Sequence, residues 1–133
     1  MDVLIEGQPV VGRPVLGHWS VRVAGGTGGR PALEVYQDGE LIDVLVATTL
    51  GVGVLRGARR GSCGGFAWGR VDADGSVPSV AFATGRLRPG WQPAETVLVP
   101  GGFWLARVSG PALAVLARRA DGNVERLRPS RVV

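Results

Sequence analysis

Apolar and polar residues alternate with a period of two over short stretches, and helical periodicity is almost absent from the chain. From His18 to Ala24, Trp19, Val21 and Val23 fall on one face, and Ser20, Arg22 and Ala24 fall on the other. That pattern marks a half-buried strand. Leu33 and Val35 alternate with Glu34 and Tyr36, and further on Ile42, Val44 and Val46 alternate with Leu41, Asp43 and Leu45. Between these two runs stands Asp38-Gly39. This dipeptide supplies the positive φ angles of a type I′ turn, so residues 32–37 are expected to pair with 40–46 in a hairpin. Gly65–Asp72 (with Phe66 and Trp68), Ser79–Thr84 (with Val80 and Phe82), Glu95–Val99, Phe103–Ser109 and Asn123–Arg128 read as further strands. Ala112–Arg119 holds good helix formers, but its short span between Pro111 and a turn favours a strand.

Punctuation completes the pattern. Asp-Gly recurs at 74–75 and 121–122, without the fixed period of a repeat architecture. Gly25–Pro31, Gly57–Gly65 and Arg86–Pro93 read as loops, the last carrying Trp91, and residues 48–55 read as a weak strand or a bend. The whole chain, 1–133, is expected to form a single all-β domain of about nine strands. The expected architecture is an antiparallel two-sheet sandwich, immunoglobulin-like or jelly-roll-like, with long connections crossing between the sheets. A closed β-barrel is the alternative. The Cys…Trp…Cys spacing of antibody domains is missing, so the likeness is one of architecture only.

Composition adds limits. With 45% hydrophobic and 20% charged residues, the chain lies outside the disordered class. Its 22 glycines and 9 prolines have no collagen period and fit a turn-rich fold. No apolar run approaches the roughly 18 residues of a membrane span, and no basic segment precedes an apolar leader after Met1. A cytoplasmic protein without membrane partners is the expectation. Cys63 is the only cysteine, so no internal disulfide forms. All 15 basic side chains are arginines and Asn123 is the only asparagine, a bias that points to a GC-rich, bacterial coding sequence. Residues 1–50 hold three arginines against six acids, and residues 51–133 hold twelve against five. Such asymmetry marks either a surface for an acidic partner or solvated, edge-protecting strand faces.

Candidate chemistry is sparse. Gly61-Ser62-Cys63-Gly64-Gly65 is similar to the nucleophile loop of chymotrypsin-like proteases, and His18 and Asp43 precede Cys63 in the matching order. That resemblance implies a cysteine hydrolase, yet the protease fold needs two six-stranded barrels, and the spacing from His18 to Cys63 leaves no room for one. His18 is the only histidine, which argues against a zinc site. Asp72 and Asp74 sit in a D-x-D-G turn that lacks the further oxygens of a calcium loop. The glycines at 25–29 lack the Lys-Ser/Thr ending of a phosphate-binding loop. No catalytic residue, metal or cofactor is therefore assigned.

The remaining signal is a C-terminal run of arginines: Arg118, Arg119, Arg126, Arg128 and Arg131. A hairpin around Asp121-Gly122 would gather Arg118, Arg119, Arg126 and Arg128 into one patch. Trp91, in a Pro/Gly segment, is either an end plug or an exposed anchor. The leading expectation is a non-enzymatic module that binds or regulates a partner protein through these five residues. A small nucleic-acid-binding domain using the same arginines is the alternative, though it lacks aromatic residues interleaved with them.

Overall fold

The computed structural model describes residues 9–10, 18–25, 27–47, 53–62, 64–85 and 90–131. Its strands are β1 (Pro9–Val10), β2 (Trp19–Gly25), β3 (Pro31–Gln37), β4 (Glu40–Val46), β5 (Leu55–Gly61), β6 (Gly64–Arg70) and β7 (Ser79–Ala83). They continue with β8 (Trp91–Pro93), β9 (Glu95–Val99), β10 (Phe103–Val108), β11 (Ala114–Arg118), β12 (Val124–Leu127) and β13 (Ser130–Arg131). The described residues are 64% strand, and their one helical element is a 3-10 turn at Thr27–Gly29. Among them, no helix is long and apolar enough to cross a membrane.

Three open sheets form. The N-terminal sheet has the order β1-β2-β3-β4, the central sheet β13-β5-β6-β10-β9, and the C-terminal sheet β12-β11-β7-β8. All pairings are antiparallel except β13 with β5. Three sheets replace the expected two, and none closes into a barrel; among the described residues thirteen strands replace about nine, the additions being the short edge strands β1, β8 and β13 and the strand β5. Phe66 and Trp68 of β6 and Phe103 and Leu105 of β10 pack with Trp19, Val21, Leu33 and Val35 of the N-terminal sheet. Ala67, Trp104, Ala106 and Val108 point the other way and pack with Val80, Phe82, Val115 and Ala117 of the C-terminal sheet. Strands buried on both faces lose the polar half of their alternation. That is why Phe66-Ala67-Trp68 and Phe103–Ala106 run apolar without a break.

The Asp38-Gly39 turn forms as expected, with Gln37 opposite Glu40 and Ala32 opposite Val46. Asp38 and Gly39 take φ of 51° and 82°. Replacing Gly39 by Val forces a β-branched residue into left-handed backbone. This G39V change should lower stability by about 1–2 kcal/mol in urea unfolding, and an unchanged midpoint would reject the turn. The strand after the turn departs from strict alternation. The register shifts so that Val35 faces Asp43 and Tyr36 faces Leu41, leaving Ile42 as a bulge. Ile42, Asp43 and Leu45 therefore turn inward, while Leu41, Val44 and Val46 are exposed.

Two segments expected as loops are strands. In the segment 57–65, residues 57–61 belong to β5 and residues 64–65 open β6, with Gly61 opposite Gly64. Its small residues reflect crowding rather than a loop: a side chain at Gly57 would strike the indole ring of Trp68. Trp91–Pro93 is an edge strand on β7, where a proline lacking its N–H is tolerated.

Candidate functional site

Strand parity sorts the C-terminal arginines. Val115 and Ala117 of β11 point into the core, so Leu116 and Arg118 point outward. Arg126 lies opposite Leu116 and Val124 opposite Arg118, which puts Arg118 and Arg126 on the outer face of the C-terminal sheet. Arg119 lies beyond the strand end and turns to carboxylates. Its Nη2 is 3.0 Å from Asp72 Oδ1 and its Nη1 is 3.6 Å from Glu125. The Asp72 contact holds that aspartate below the usual carboxylate range and raises the Arg119 guanidinium further. Arg119 thus clips the turn after β6 to the β11–β12 hairpin and leaves the expected patch. Arg118, Arg126 and Arg128 are exposed and make no ion pair with the described residues.

Trp91 joins them on the same face. It lies opposite Ala83, and Pro93 lies opposite Ala81. The guanidinium of Arg126 stands 5.7 Å from the centre of the Trp91 ring. β12 and β8 are the two edges of this sheet, three strand spacings or about 14 Å apart. Two long side chains meet across that span over Ala81, Ala83 and Ala114, which are small, and beside Leu116, which lies opposite both Arg126 and Ala81. The result is a shallow apolar floor of three alanines and Leu116 with a cation–aromatic pair laid over it. Trp91 remains 41% exposed, and Val124 on the same face is also open to solvent.

The other candidates resolve differently. His18 Nδ1 is 2.8 Å from Asp38 Oδ1, and the Asp38 N–H donates to the His18 carbonyl. Asp43 accepts from Arg56 and from the Trp68 indole N–H, at 3.0 and 2.8 Å. The His18 and Asp43 pair that a cysteine hydrolase would need is therefore not formed, and Cys63 lies outside the described residues. Asp74 accepts from the Ser76 N–H and hydroxyl, which hold it below the usual carboxylate range, as in an ordinary Asx turn. Among the described residues, no three metal-ligating side chains come together.

Among the clefts elsewhere are two of similar size. One, of about 360 Å³, lies between β4 and β5 and is lined by Val44, Val46, Leu55, Arg56 and Arg70. Arg56 there is already held by Asp43, and Arg70 Nε donates to the Gly53 carbonyl. The other, of about 380 Å³, includes Arg60, Ser62 and Arg131. Sequence reasoning placed Arg131 in the basic run but passed over Arg60, because only the parallel β13–β5 pairing brings the two together.

No family model, no curated protein and no solved structure matches the chain.

Proposed function

We propose that the protein is a non-enzymatic β-sandwich module that binds an acidic partner protein. Its contact surface is the outer face of the C-terminal sheet, centred on Trp91 and Arg126 with Arg118 beside them. One observation carries the reading: a half-exposed tryptophan with an arginine stacked on it, both lying over an apolar floor of Ala81, Ala83, Ala114 and Leu116. Trp and Arg are the side chains most often responsible for binding energy at protein interfaces. Stacking also holds the guanidinium in place before binding, which lowers the entropy lost on association. The free cations Arg118, Arg126 and Arg128 favour an acidic surface opposite. A phosphate backbone would draw on a longer row of cations, and Arg119 is spent on Asp72 and Glu125.

The test compares wild type with W91A and R126A by affinity capture from source-cell extract, with and without nuclease treatment. Both variants should keep the wild-type melting temperature, since each side chain is exposed. Each should weaken capture of the same protein by about tenfold or more. Capture unchanged in both variants would remove this face from the reading. Capture that disappears with nuclease, with affinity falling steeply as salt rises, would replace the protein partner by nucleic acid.

A further inference from the structure

β13 lies parallel to β5, with Arg131 beside Arg60 and Ser130 beside Arg59. Side chains directly opposite on neighbouring strands share a face, with Cβ atoms roughly 5 Å apart, so like charges there repel. Arg60 also lies opposite Gly65, whose missing side chain faces Ala112 and Phe82. The two guanidiniums therefore flank the end of the space between the central and C-terminal sheets. Among the described residues, no carboxylate pairs with either. The Arg60 Nε is buried and has no hydrogen-bond partner. An unpaired buried donor on a charged group is more unfavourable than one on a neutral group. Both groups line the cleft of about 380 Å³, together with the donor hydroxyl of Ser62 and an apolar wall of Pro111 and Leu113. Among the described residues, no acidic side chain lines it.

Two repelling cations, an orphaned donor, a hydroxyl and an empty volume are all satisfied by one anion. We infer that Arg60 and Arg131, with Ser62, form a binding site for a phosphate group, either the free ion or a small monoester. A monocarboxylate has two oxygens and one charge, which match a single guanidinium fork. A phosphate dianion offers three or four tetrahedral oxygens and two charges, which match both forks at once. The cleft is several times the size of a phosphate group, and its apolar wall leaves room for the organic part of a monoester. This site lies at the open end of the space between two sheets, so it stands independently of the outer surface around Trp91.

Thermal unfolding at constant ionic strength tests the assignment, with inorganic phosphate, glycerol phosphate and acetate as the added ligands. In wild type, phosphate or glycerol phosphate should raise Tm saturably in the logarithmic manner of a native-state ligand, by about 5 °C at ten times Kd. The stronger of the two identifies the source of the phosphate group. R60Q should weaken the effect about tenfold or more. R131Q, at an exposed position, provides the same reading if R60Q fails to fold. No rise in wild type, an equal rise in both arginine variants, or an equal rise with acetate would each overturn the site.

Discussion

Truncating Trp104 to alanine should destabilise the protein by about 3–5 kcal/mol, the range for removing a fully buried large aromatic. Trp104 is 0% exposed and projects from the central sheet into the cluster shared with the C-terminal sheet. Its indole N–H is divided between the carbonyls of Val54 and Arg70, at 3.1 and 2.9 Å. It therefore fills volume and also ties the start of β5 to the end of β6. Trp104→Phe keeps most of the apolar contact and loses the N–H, so about 1–2 kcal/mol is expected from that change. Domains of this size hold roughly 5–15 kcal/mol in total, so the alanine variant should lie close to the unfolding threshold. Urea unfolding followed by fluorescence and by circular dichroism would measure both. Because the central sheet is shared by two cores, the two probes should give one coincident transition. An alanine variant within about 1 kcal/mol of wild type, or two separate transitions in wild type, would mean that the layers do not depend on this wall.

What the sequence disclosed follows from how local each cause is. The Asp38-Gly39 hairpin depends on two residues with positive φ, and those residues are visible as a dipeptide. The bulge at Ile42 goes with the hydrogen bonds from Trp68 and Arg56 to Asp43, which are remote in the chain, so strict alternation, which groups Ile42 with Val44 and Val46, does not disclose it. β5 looks like a loop because Gly57 and Ala58 are small, yet Gly57 is small because the Trp68 indole of the neighbouring strand covers it, and Ala58 because it packs in the cluster shared with the C-terminal sheet. The third sheet had a readable signal in the unbroken apolar runs of β6 and β10, which a one-faced strand does not need. For the site, the hairpin at Asp121-Gly122 was legible, but the opposed directions of Arg118 and Arg119 emerge only once Val115 and Ala117 are known to be buried. The meeting of Trp91 with Arg126, and of Arg60 with Arg131, depends on strand order. Strand order is a property of the whole fold and not of any segment.

Asp43→Ala should be the most damaging change at an acidic position, at about 2–4 kcal/mol at neutral pH. The carboxylate is 18% exposed, while its partner Arg56 is 51% exposed. It accepts from Arg56 Nε and Nη2, both at 3.0 Å, and from Trp68 Nε1 at 2.8 Å. The arginine pair itself contributes little, because the guanidinium is largely solvated. Most of the loss comes from leaving the Trp68 N–H without an acceptor beside the N-terminal core. Asp43→Asn keeps an acceptor for that N–H and should recover about half. Burial pushes the Asp43 carboxyl up, but the Arg56 guanidinium, the Trp68 N–H and the Val44 N–H together outweigh it and hold the group below the usual carboxylate range. A carboxyl with a lowered folded-state pKa contributes stability that is complete above its unfolded value and is lost as pH falls through its folded one. Wild-type stability should therefore decline below about pH 4, and the wild-type advantage over Asp43→Asn should shrink across the same interval. A constant difference between the two from pH 7 to pH 2 would show that the charge on Asp43 does not support the fold. A wild-type hydrolytic activity abolished in Asp43→Asn at unchanged stability would instead return this residue to catalysis, against its present role of holding Trp68 and Arg56 in place.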